Sequence, residues 1–306
     1  MTNSPWSPLQ VIDKILSCPL SSLPTRLSLL CLKVSRGLGH RWDFSRQQEV
    51  LLRASQETEE EVRLEALAVS VESHSSVEII QDQELSWMIS FILRELALQA
   101  PASQQVLTVL ATKMVQRLRD GAGAARKKLT QNKFSAEFSE LETVLSYYNR
   151  RLCGFVCSLL DNLYPGANTP RRSSVLEILT AVNNIIGLAR ADTGLDLRST
   201  VSQHSANSLL ECLHDSYEAN KERSLGLLLS LSPSVLEQDS PAMVAARLEE
   251  MLALMVSSKP ASTVTATYMA RLLLAAPALS WVLADRLGLL RASQYNSTFL
   301  LVVLVR

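Results

Sequence analysis

A chain of 306 residues can bury a large core. Its 47% apolar and 5% aromatic content, rich in Leu and Ala, favours helices over a β-sandwich or barrel, which would need more Val, Ile, Thr and aromatic residues. Thirty basic residues balance thirty acidic ones, which excludes whole-chain attraction to nucleic acid, so any RNA-facing surface must be a local patch.

The N-terminal MTNSPWSPLQVIDKILSCPL lacks a basic start followed by an unbroken apolar run, and is not read as a signal peptide. Residues 1–44 are expected to be irregular. The acidic run Glu57 to Glu61 reads as the negative start of a helix, where carboxylates complement exposed N–H groups. Leu85, Met88, Ile92 and Leu96 then mark one helix face, and Leu107, Leu110, Met114 and Leu118 another. The glycine-containing, cationic stretch 120–138, DGAGAARKKLTQNKFSAEF, is expected to be a mobile loop. The longest stripe follows, through Leu141, Leu145, Tyr148, Leu152, Val156, Leu159 and Leu163. A Pro-Gly stop in YPGANTP leads to Val175, Ile178, Leu179, Val182 and Ile186. The run Leu272 to Leu283 is apolar but contains Pro277 and falls short of the ~20 residues of a membrane span. It is expected to be a buried helix pair, and no membrane partner is expected. STFLLVVLV is the one β-like run, and 291–306 is expected to be an atypical tail.

Three segments share a phase. Each has a polar turn and a cation (Arg63, Arg172, Lys221), then a small or apolar residue three positions on (Ala66, Val175, Ser224), then a leucine (Leu67, Leu176, Leu225). The second and third copies lie 49 residues apart, close to the period of HEAT and armadillo helix pairs. One helix pair cannot bury its apolar face alone, whereas stacked pairs share a continuous core. The expected fold is therefore all-α: a HEAT/armadillo-like α-solenoid of stacked antiparallel helix pairs, read as a single array over residues 1–306.

No motif for chemistry emerges. DGAGAARKK follows a helix, lacks phosphate-loop spacing and has no partner strand. Cys153 and Cys157 lie along an apolar stripe and read as small buried hydrophobes rather than metal ligands. The odd, scattered cysteines (Cys18, Cys31, Cys153, Cys157, Cys212) read as reduced thiols of a cytosolic or nuclear protein. His40, His74, His204 and His214 sit in polar turns or at helix ends, with no nucleophile context. The chain is expected to be a non-enzyme with no cofactor, no metal and no catalytic residue. What remains is cationic. Arg117 and Arg119 end a helix, Arg126, Lys127, Lys128 and Lys133 crowd the 120–138 segment, Arg150 and Arg151 interrupt a helix, and Arg171 and Arg172 open the next. Each can complement a helix end or stay solvated. Together they are the candidate RNA or partner contacts, because crowded cations gain from phosphate and release counterions.

SLLDNLYPGANTPRRSSVLEILTAV and LLECLHDSYEANKERSLGLLLSLSP resemble the thyroid adenoma-associated protein (THADA) family, most clearly over about Tyr147 to Pro233. These are turn signatures rather than active-site residues. The resemblance implies a very long helical-repeat protein that acts as the non-catalytic partner of a 2′-O-methyltransferase, the two together modifying nucleotide 32 of the tRNA anticodon loop. Full members are far longer and carry an arginine-arginine-serine-alanine-glycine block that RRSSVLEIL is not, so the chain is expected to be a fragment or truncated form. The expected function is a scaffold or regulatory subunit for tRNA 2′-O-methylation in the cytosol, with the methyltransferase and tRNA as partners. The alternative is a protein–protein HEAT-repeat scaffold without RNA contact.

Overall fold

The computed structural model describes residues 7–16, 18, 23–38, 44–72, 77–98, 101–131, 137–164, 167–193, 195, 208–209, 211–230, 246, 249 and 274. Among them the chain is helical and has no strand. The helices are α1 (Pro8–Leu16), α2 (Thr25–Gly37), α3 (Phe44–Ala54), α4 (Glu60–Glu72), α5 (Asp82–Ala97), α6 (Pro101–Gln131), α7 (Glu137–Asp161), α8 (Thr169–Thr193) and α9 (Glu218–Ser230), with a 3-10 turn at Cys212–His214 before α9. The chain, read as one array, gathers into two compact units: Met1–Arg151 with Ala189–Leu195, and Leu152–Leu188 with Asp196–Arg306. Lys133, the Leu272–Leu283 pair apart from Leu274, the STFLLVVLV run, the 291–306 tail, His40, His74 and His204 lie outside the described residues.

Two expectations are corrected. Residues 1–44 contain α1 and α2. Pro8 supplies a preset φ at the first helical position. Ser7 and Gln10 form a reciprocal capping box, the Gln10 amide donating to Ser7 Oγ (3.3 Å) and the Ser7 amide to Gln10 Oε1 (2.9 Å). The second correction is the 120–138 loop, for residues 120–131 continue α6 without a break. Ala, Arg, Lys and Leu are good helix formers and outweigh two glycines. Gly121 is also needed where it stands, since a Cβ there would meet the Glu78 carbonyl oxygen and the Tyr148 hydroxyl at 3.3 Å.

The first unit is built on α4. It touches α2, α3, α5 and α6, and α2, α4 and α6 lie side by side in one row. A helix surrounded in this way must be apolar nearly all round. Val62, Leu64, Ala66, Leu67, Val69 and Val71 are all buried. Surface ion pairs border the row: Arg26 with Glu59, Lys33 with Glu65 across α2 and α4, and Lys113 with Glu72 across α6 and α4. The stripes read from sequence on α5 and α6 are buried throughout. So is the α8 stripe of the second unit, with Phe155, Leu159, Leu209, Leu213 and Leu228. The shared phase is real in packing, for Ala66, Leu67, Val175, Leu176, Ser224 and Leu225 are all fully buried.

The turn between α4 and α5 is held by α7. The Tyr147 hydroxyl donates to the Ile80 carbonyl (2.6 Å), and the Ile80 amide donates to the Tyr148 hydroxyl (2.7 Å). Burial pushes the Tyr148 phenol up to about 12, so it stays protonated at any working pH. Arg151 grips Asp82, two residues after Ile80, with two bonds of 2.7 and 2.9 Å. Replacing Tyr148 by Phe removes the acceptor and leaves the buried Ile80 amide unpaired. Urea denaturation of Tyr148→Phe should show a loss of about 1–3 kcal/mol. An unchanged midpoint would mean the amide finds water and the clamp does not act.

Candidate RNA and partner interface

The nine candidate cations among the described residues divide by what their own surroundings already take from them. Arg117 is buried on α6, and its Nη1 donates to the carbonyls of Ser70 (2.9 Å) and Val71 (3.1 Å) at the last turn of α4. Helix ends leave carbonyls without partners, and a guanidinium supplies donors there. Burial lowers its pKa, while Glu84, Tyr148 and Glu78 act in the opposite sense. Arg119 is half-buried against Asp120 at 2.7–2.8 Å. Arg151 is spent on Asp82, whose carboxyl is held below the usual range by that hydrogen bond first, with the charges of Arg151 and Arg150 adding and burial opposing. Arg150 lies 3.8 Å from the same carboxylate and keeps 70% of its side chain exposed.

In the second unit, Arg171 and Arg172 serve α8 and the turn before it. Asn168 caps the helix by accepting from the Arg171 amide at 2.9 Å. The Arg171 guanidinium lies over the Tyr164 ring, 5.4 Å from its centroid, and donates to the Tyr164 hydroxyl (3.2 Å) and to Asn162 Oδ1. Arg172 donates to the Ala167 carbonyl and, through Nε at 2.6 Å, to Asp215. The Asp215 side chain has 0% exposure. It also accepts from the Tyr217 amide (2.8 Å) and Asn220 Nδ2 (3.1 Å). Burial pushes the Asp215 carboxyl up, but the Arg172 guanidinium, the Tyr217 amide and Asn220 more than offset it and hold the group below its ordinary value. Arg63, the matching cation of the first repeat copy, behaves alike. It donates to the Glu57 and Thr58 carbonyls at 2.9 and 3.0 Å and to the Glu95 carboxylate at 3.2 Å.

Arg126, Lys127 and Lys128 are different. All three are exposed, one after another, at the C-terminal end of α6. Further up, α6 buries residues at the helical period, through Leu107, Ala111, Met114, Leu118, Ala122 and Ala125. No ion pair with a described residue involves any of the three. Thus of the sequence-read set, Arg150 and this run present charge outward, while Arg117, Arg151, Arg171 and Arg172 are withdrawn from it.

Sequence reasoning missed the acids that consume these cations. Glu95 had a signal: it falls three residues after Ile92 on the buried face of α5, where a carboxylate needs partners, and Arg63 and Arg94 supply them. Asp82, the first residue of α5, and Asp215, in a turn, had none. Cys153 and Cys157 prove half-exposed rather than buried in the stripe, and all five cysteines are free. Among the described residues no three His, Cys, Asp or Glu side chains gather as a metal would require, and no helix is long and apolar enough to cross a membrane.

Packed helices whose turns are tied by arginines, with no strand among the described residues, define an all-α helical-repeat protein. The sequence profile described as "Trm732, TPR repeats" matches residues 7–222, and the chain belongs to that family. Similar proteins named "tRNA (32-2'-O)-methyltransferase regulator THADA" occur in Chlorocebus aethiops and Homo sapiens, each 26% identical over 260 residues and 80% of this chain. The Drosophila melanogaster protein of that name is 24% identical over 279 residues and 85% of the chain. The chain spans 13–14% of the length of these relatives.

The Arg172–Asp215 pair makes a pH-dependent contribution. A carboxyl depressed in the folded state stabilises at pH values above its unfolded pKa of about 4 and loses that contribution as pH falls through the folded value. Asp215→Ala strands a guanidinium in a partly buried site and should cost about 3 kcal/mol at pH 7. The gap to the unaltered protein should narrow below pH ~4, as followed by denaturant midpoints. A gap independent of pH down to 3 would show that the missing contribution is packing rather than charge.

Proposed function

We propose that this chain is part of a non-catalytic, cytoplasmic regulatory subunit that assists a partner methyltransferase in 2′-O-methylation of nucleotide 32 of tRNA. On this reading its helices hold and orient, while the chemistry and the methyl donor belong to the partner. Holding a flexible loop in reactive geometry converts part of the encounter entropy into binding, which is a positioning contribution to rate. The observation that carries the RNA part is the run Arg126, Lys127, Lys128: three consecutive exposed cations at one helix end, with no described acid to neutralise them. Such a run gains from phosphate by displacing counterions. Arg150 is the further candidate for phosphate. The regulatory part is supported by membership of the Trm732 TPR-repeat family and by the relatives' names.

The second reading is a protein-only scaffold. Leu27, Leu30 and Val34 on α2, with Leu38 just past its end, recur at three- and four-residue steps and are exposed, although Leu29 and Leu32 bury the opposite face. An apolar stripe on an already packed helix favours contact with another protein.

Replacing Arg126, Lys127 and Lys128 together by Ala separates the two. If phosphate contact is right, tRNA affinity falls, and the slope of log affinity against log salt drops by about 0.7–0.9 for each phosphate no longer neutralised, roughly 2–3 in total. Nucleotide-32 methylation supported by the variant falls with it. Affinity and slope unchanged across a salt series would remove these residues from the RNA interface and leave the protein-only scaffold.

A further inference from the structure

The tyrosines among the described residues are used in two opposite ways. Tyr147 and Tyr148 turn their hydroxyls inward onto Ile80. Tyr164 and Tyr217 stand in turns, at 43% and 52% exposure. Both belong to the second unit, and an unbroken chain of bonds joins them. The Ala167 amide donates to the Tyr164 carbonyl at 3.0 Å. The Ala167 carbonyl accepts from Arg172, Arg172 donates to Asp215, and Asp215 accepts from the Tyr217 amide. Arg172 and the buried Asp215 thus tie together the backbone of two turns, one before α8 carrying Tyr164 and one before α9 carrying Tyr217. Tyr164 is fixed further, because the Arg171 guanidinium lies against one ring face and bonds its hydroxyl.

An exposed ring on anchored backbone loses little further freedom when a flat partner stacks on it, and every nucleobase offers such a face. Unpaired RNA is read in this way, by aromatic side chains and arginine planes on which splayed bases stack. We propose that Tyr164 and Tyr217 form a stacking platform for unpaired nucleobases of an RNA loop, with Arg171 as the support behind the Tyr164 ring. This rests on the RNA reading given above and adds a base-stacking interaction that its phosphate contacts do not provide. A protein partner would use the same rings as hydrophobic anchors, and the test is arranged to expose that outcome.

The test uses the full chain, a tRNA anticodon stem-loop as probe, and the same loop strand annealed to its complement as a paired control. Tyr164→Ala and Tyr217→Ala should each weaken stem-loop binding about 5-fold or more, the effect of losing one base stack. Tyr164→Phe and Tyr217→Phe, which keep the ring, should bind within about 2-fold of the unaltered chain, since stacking needs the ring rather than the hydroxyl. Duplex affinity and salt slope should not move in any of the four, whereas removal of phosphate-binding cations moves both. Thermal melts of the alanine variants confirm that the turns remain folded. If the unaltered chain binds neither RNA, the RNA reading fails and the platform with it. If it binds the stem-loop and the alanine variants bind equally well, the platform alone is overturned. Alanine variants that keep RNA affinity but no longer capture the methyltransferase would reassign the rings to a protein interface.

Discussion

Every helix end leaves backbone groups that its own helix cannot bond, and an array of short-looped helices multiplies such ends. This chain satisfies them with long side chains, some reaching from a neighbouring element and some folding back onto the turn before their own helix. Arg63 bonds the carbonyls of the turn before α4, Arg94 the Ser55 carbonyl after α3, Arg117 the last carbonyls of α4, and Arg172 the Ala167 carbonyl before α8. Tyr147 does the same for Ile80. Hydrogen bonds with a charged donor contribute about 1.5–3 kcal/mol each, and a buried carbonyl left alone costs a comparable amount, so these bonds decide which helix neighbours which. The remaining charge of the guanidinium is then answered by a buried acid: Glu95 for Arg63 and Arg94, Asp215 for Arg172.

That use of arginine limits what is left for binding. A cation already paired and desolvated inside the protein gains little from phosphate, because it must first give up its acid. Counting arginines therefore overstates the electropositive surface, and the exposed run at the end of α6 matters more than its share of the total charge. Zero net charge over the whole chain is thus compatible with a small group of exposed cations at the end of α6.

The helices were legible because their signal is periodic and redundant. Leu85, Met88, Ile92 and Leu96 specify one face four times over, and α8 does so through Val175 to Ile186. The repeat phase was legible for the same reason, since the positions three and four residues after the cation must be buried in any helix entering the stack. Where one or two residues carried the information, the reading failed. Two glycines in DGAGAARKK outweighed the helix-forming residues around them, although Gly121 is there to admit Tyr148. The SPLQ capping box at α1 is a signal of the same slight kind, carried by Ser7 and Gln10 alone. The cations were found, but their role depends on Asp82, Glu95 and Asp215, which lie 32 to 69 residues away in the chain. No local pattern records a partner at such a distance.

The central claim is that most of these arginines are locked into the packing and few face the solvent. Covalent labelling of guanidinium groups in the folded protein with a dicarbonyl reagent, read by mass spectrometry, tests it directly. Arg126 and Arg150 should react quickly, and Arg63, Arg117 and Arg172 should react only once denaturant is added. Labelling of Arg117 or Arg172 at the rate of Arg126 under native conditions would contradict the account.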